Sequence, residues 1–118
     1  MKLLGLRTLI YPSNDLATDK KWWADVLGVE PYFDQPFYVG FNVGGYELGL
    51  DPNGDMNDGP RTYFGVDDVH AAVDHFVEAG CTVYEQAMET GDDIVVATVK
   101  KPNGQLLGLI YNPHFKEV

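Results

Sequence analysis

With 118 residues, 45% of them hydrophobic, the chain suffices for one compact domain or two half-domains sharing a core, and is too apolar for a disordered tail. A formal net charge of −10 sets it against nucleic-acid backbones and anionic membranes, which repel it at long range, so neither is expected as a partner. Its single cysteine, Cys81, cannot close an internal disulfide, no run approaches the ~18 apolar residues of a membrane span, and the short apolar start around Arg7 is a poor signal peptide, so a cytoplasmic protein is expected.

Residues 3–11 are nearly all apolar and predict a strand covered on both faces. Pro12-Ser13-Asn14 breaks it. Asp15 then offers a short carboxylate to cap a helix that ends at Gly28, a residue suited to the position just past a helix terminus. Leu16, Trp23, Val26 and Leu27 form the apolar stripe of this helix, with Asp19, Lys20 and Lys21 outside it. Residues 31–50 carry aromatic and β-branched positions punctuated by Pro31, Pro36, Gly40 and Gly44-Gly45, the pattern of short antiparallel strands with tight turns. The acidic stretch 51–60 lacks the glycine and the terminal glutamate of a calcium loop and reads as a solvated connector. A strand over 61–66 follows, then a helix from Asp67/Asp68 to Gly80 with Val69, Val73, Phe76 and Val77 as its buried stripe. Strands over 82–87, 93–100 and 105–111 complete the chain, the last two joined at Lys101-Pro102-Asn103-Gly104.

The chain says nearly the same thing twice. Gly45-Tyr46-Glu47-Leu48-Gly49-Leu50 matches Gly104-Gln105-Leu106-Leu107-Gly108-Leu109, and each block closes a half that begins with a strand and an Asp-capped helix. The predicted order is βαβββ twice, an α+β fold with a first module over 1–52, a linker over 53–60 and a second module over 61–118. Equivalent positions in the two halves are the first places to look for chemistry.

Three marks carry a resemblance: Trp22-Trp23-Ala24-Asp25-Val26-Leu27-Gly28, Phe64-Gly65-Val66-Asp67-Asp68-Val69, and Lys101-Pro102-Asn103-Gly104 before the last strand. In this order, within a repeated βαβββ scheme, they resemble the glyoxalase, bleomycin-resistance and extradiol dioxygenase superfamily, the vicinal oxygen chelate fold. The resemblance spans almost the whole chain. It implies a homodimer, and two modules curling into a funnel around a small-molecule ligand, paired within one chain or between the two chains. It further implies metal ligands seven residues before each helix-opening Asp and four residues past each turn glycine. Here those positions hold Thr8, Arg61, Gly49 and Gly108 where His, Glu or Gln is expected. Glycine offers no side chain, Arg is a permanent cation and a lone Thr hydroxyl is a poor ligand, so no metal and no other cofactor is expected. His70 and His75 do not share a helical face, and with His114 they read as surface histidines.

Strand alternation turns Thr8, Glu47, Gly49, Arg61, Tyr63 and Gly108 toward the ligand, and the two glycines open space there. Arg61 has three readings: a partner for Glu47, a clamp for an acidic ligand group, or a solvent-facing cation. Tyr32, Phe33, Phe37, Tyr38 and Phe41 crowd ten residues, more than a short hairpin needs for packing, and Tyr38 and Phe41 join the expected ligand set. Such rings suit a planar or hydrophobic molecule, and an acidic protein adds attraction for a cationic one. The resulting expectation is a metal-independent protein that binds an aromatic or antibiotic-like ligand, with sequestration as its role. The alternative is a lyase or isomerase of the glyoxalase type with Glu47 as catalytic base and Arg61 as oxyanion clamp. Cys81, at a strand start, reads as a small buried residue.

Overall fold

A computed structural model describes residues 1–115. Eight strands and two helices follow in the order β1 (Gly5–Pro12), α1 (Leu16–Leu27), β2 (Phe33–Gln35), β3 (Tyr38–Val43), β4 (Tyr46–Asp51), β5 (Arg61–Gly65), α2 (Val69–Glu78), β6 (Thr82–Gly91), β7 (Ile94–Lys100) and β8 (Leu106–Tyr111). The class is α+β, and the βαβββ order occurs twice. The chain divides into two compact units, one of Thr8–Arg61 and one of Met1–Arg7 together with 62–115.

In the first unit the strand order is β2-β3-β4-β1, antiparallel except for the parallel pairing of β1 with β4. Asp15 caps α1, accepting from the Thr18 amide at 3.2 Å and the Thr18 hydroxyl at 2.8 Å, and these donors hold its carboxyl below the usual range. Gly28 closes the helix with φ 74°, a left-handed conformation that glycine adopts without penalty. The sheet turns Val39, Phe41, Leu48 and Leu50 to α1, where they pack with Leu16, Trp23, Ala24, Leu27 and Tyr11. Val26, expected on the buried stripe, is 59% exposed, because Ala24 and Leu27 flank the Leu16–Trp23 line on the other side. β1 also departs from the expected burial on both faces: Leu6 is exposed and the other strand residues are only partly buried.

The connector holds one unpredicted 3-10 turn, Met56–Asp58. Asp51 and Asp55 accept bonds from the amides of Asn53 and Asn57, so two of its carboxylates serve the local backbone.

The second unit repeats the plan with strand order β5-β8-β7-β6 and a parallel β5–β8 pair. Asp68 caps α2 through the Ala71 amide at 3.0 Å. Its core holds Val66, Val69, Ala72, Val73, Cys81, Ala97, Val99 and Leu109, with Phe76 packed against it. Cys81 is buried as expected, whereas Val77 is 43% exposed and Ala72 takes its place on the stripe. β6 runs to Gly91, longer than predicted, with register shifts along β7. Among the described residues no helix is long and apolar enough to cross a membrane.

Candidate functional site

Strand alternation sends Leu48 and Leu50 of β4 into the core and leaves Glu47 and Gly49 on the face away from α1. Register places Asn42 and Thr8 opposite Glu47, and Gly40 and Ile10 opposite Gly49. Both oxygens of the half-buried Glu47 carboxylate are engaged. Tyr38 donates its hydroxyl to Oε1 at 2.8 Å, and Tyr32 donates to Oε2. The Tyr32 ring is largely exposed, but shelter of its hydroxyl end pushes the phenol well above the ordinary tyrosine range. Donation to Glu47 and the negative charge there push it the same way. Phe33 adds a ring 6.0 Å from Phe37 and 6.1 Å from Tyr38, between centroids. The result is a carboxylate ringed by aromatic groups.

Two glycines make this arrangement possible. A Cβ at Gly49 would lie 1.8 Å from the Tyr38 hydroxyl oxygen, and one at Gly40 would lie 2.9 Å from Glu47 Oε2 and 3.1 Å from the Tyr32 ring. The space expected above Gly49 is therefore filled, by a tyrosine of the adjacent strand that lies flat on the sheet.

Phe41 requires a second correction. It is fully buried against α1, on the opposite face from Tyr38, because residues three apart in a strand point to opposite sides. It belongs to the core and not to the ligand-facing set. Arg61 lies with one guanidinium nitrogen 4.0 Å from a carboxylate oxygen of Asp58, and its side chain is 16% exposed. Tyr32 and Tyr38, not Arg61, hold Glu47. Tyr32 is absent from the residues singled out by strand parity because it sits before β2, where alternation carries no information. The sequence signal for it is the aromatic cluster itself.

In the second unit the face away from α2 carries Tyr63, Gly65, Gly108 and Ile110 in register. Tyr63 is 6% exposed, and its ring lies on Gly108, where a Cβ would meet Cδ2, Cγ and Cε2 at 2.5–2.7 Å. The space expected above Gly108 is filled like that above Gly49. Thr98, opposite Gly108 on β7, donates to Glu85 at 3.0 Å.

The four positions where the superfamily keeps metal ligands do not fit a metal here. Thr8 and Arg61 are poor donors, and the two glycines lie beneath tyrosine side chains. Among the described residues no group of three or more His, Cys, Asp or Glu side chains is placed to hold an ion. His70, His75 and His114 are exposed, as expected of surface histidines. A hollow of about 520 Å³ beside α2 is lined by Val66, Asp67, Asp68, Ala71, Asp74 and His75 among others, and its Asp68 is occupied in capping.

Residues 5–109 match the family model of the Glyoxalase/Bleomycin resistance protein/Dioxygenase superfamily, and the chain belongs to that superfamily. Solved structures of the same fold include a superfamily member from Vibrio splendidus 12B01, at 20% identity and TM-score 0.68 over 90% of this chain and 97% of that one. A variant of the methylmalonyl-CoA epimerase from Streptomyces coelicolor, in complex with 2-nitronate-propionyl-CoA, aligns at 14% identity and TM-score 0.74, covering 99% and 100% of the two chains. The Mn(II)-bound glyoxalase from Novosphingobium aromaticivorans aligns at 20% identity and TM-score 0.72, over 93% of this chain and 39% of that one. No curated protein matches the sequence.

Proposed function

We propose that this protein binds a small aromatic molecule without a metal, and that the Tyr32–Glu47–Tyr38 cluster is the recognition element. The observation that supports this is the half-buried carboxylate with a phenol on each oxygen and exposed rings beside it. Each phenol donates its hydroxyl hydrogen to Glu47, and the Tyr32 oxygen can then act as an acceptor toward a ligand. Acceptors, a negative charge and π faces together favour a planar ligand that carries a cation or several donors. Sequestration of an antibiotic-like molecule is a role of this kind.

Benzamidine, a planar aromatic cation, and bleomycin are suitable probes in calorimetric titrations. Glu47→Gln is expected to weaken binding more than tenfold, equivalent to about 1.4 kcal/mol or more, and Tyr32→Phe to weaken it less. Equal affinity of wild type and Glu47→Gln for both probes would remove the cluster from the site. Exhaustive chelation is expected to leave the melting temperature and the affinities unchanged, and a clear fall in either would reinstate a metal.

The isomerase reading rests on the same carboxylate. As a base, Glu47 would take the proton on a carboxylate lone pair that the two tyrosine bonds leave open, and Arg61 stands beside Asp58. Incubation with methylmalonyl-CoA in D2O separates the readings. Deuterium wash-in that disappears in Glu47→Gln would establish proton transfer; none is expected of a binding protein.

A further inference from the structure

Arg7 is the one charged residue in the apolar segment 3–11. Its guanidinium lies across Gly65, where a Cβ would meet Nε at 2.7 Å and Cζ at 2.9 Å, so only glycine lets it settle there. Phe115 covers the other side, with its ring centroid 3.9 Å from Cζ. Both faces of the guanidinium plane are thus in contact with protein, and the N–H edges are what remains for bonding. One edge nitrogen, Nη1, donates to the Leu6 carbonyl at 3.2 Å.

Among the described residues no carboxylate meets this half-buried cation, although the chain carries 18 Asp and Glu residues against eight Lys and Arg. Lys20, Lys21 and Arg61 each lie beside an Asp. A guanidinium has five donors, and this one uses a single donor on a neighbouring carbonyl. The stack on Gly65 and Phe115 fixes its plane, which reduces the entropy lost when a planar or tetrahedral anion binds to the fork.

We infer that Arg7 is an anion-binding residue, placed to take the carboxylate or phosphate group of a small molecule on the sheet face of the second unit that also carries Tyr63 and Thr98. The position shares no residue with the Tyr32–Glu47–Tyr38 cluster and stands or falls independently of it. A neutral acceptor bonds such a fork more weakly than a carboxylate or phosphate does, so charge favours an anionic ligand.

The test is a titration of full-length protein with benzoate, phenyl phosphate and neutral benzyl alcohol, following the Arg7 Nε–H resonance by NMR. A saturable shift with at least one anion and none with benzyl alcohol is expected. The stronger of the two anions identifies a carboxylate or a phosphate ligand. Arg7→Gln is expected to weaken the anion more than tenfold, and Arg7→Lys, which keeps the charge and loses the fork, to fall between. Phe115→Leu, which uncovers one face of the plane, is expected to weaken binding with unchanged preference between anions. Melting curves identify folded variants, and Arg7→Lys supplies the comparison if Arg7→Gln does not fold. Equal shifts with benzyl alcohol, no saturation with either anion, or unchanged affinity in the folded Arg7 variants would overturn the assignment.

Discussion

Truncating Phe41 to Ala is expected to lower stability by about 3–5 kcal/mol, because a large ring leaves a cavity that the surrounding core cannot fully close. Phe41 is fully buried among Val39, Leu48 and Leu50 beneath α1. Small domains have only about 5–15 kcal/mol in total, so a substantial unfolded fraction or a much lower denaturation midpoint is the anticipated readout. Phe41→Leu, closer in volume, should cost much less and remain suitable for ligand titration. Its affinity for benzamidine should equal that of wild type, since the side chain lies on the far face from Glu47. A Phe41→Ala protein of normal stability that had lost its ligand would return this residue to the binding set.

The second large effect is expected at Gly108. An alanine Cβ there would press into the base of the Tyr63 ring, and the ring is nearly buried, so it has little room to swing aside. Overpacking of this kind costs about 1–3 kcal/mol, and Gly108→Val should exceed Gly108→Ala. A double-mutant cycle isolates the cause: in a Tyr63→Ala background, Gly108→Ala should lose most of its penalty. An unaltered melting temperature in Gly108→Ala would show that the ring does not need the glycine. Gly49→Ala makes a useful contrast. There the clash is with the hydroxyl end of Tyr38, which can swing away, so the loss should fall more on the Glu47 contact and ligand binding than on stability.

The two effects share one device. In each unit a glycine of the last strand lets a tyrosine lie flat on the sheet, Tyr38 over Gly49 and Tyr63 over Gly108. The sequence repeat marks the pair of glycines but not what covers them. From sequence they read as gaps left by missing metal ligands; in three dimensions an adjacent or opposite strand fills each one. Alternation within a strand is local and carries through, which is why Glu47 and Gly49 share a face as expected. The reach of a tyrosine across to the next strand depends on register, which the chain order does not reveal.

What the sequence determined by itself is the part governed by short-range rules. Asp15 and Asp68 cap the helices, Gly28 ends the first, and period-two and helical patterns set the βαβββ order and the α+β class. Those signals act within a few residues, where hydrogen-bond chemistry and backbone sterics leave few choices. The tertiary structure decided which groups share a neighbourhood. It buried Phe41 and exposed Val26, gave Glu47 two tyrosines in place of Arg61, and laid Arg7 between Gly65 and Phe115. Each of these depends on pairings between residues far apart in the chain, where burial and charge compensation across strands, rather than local propensity, select the partner.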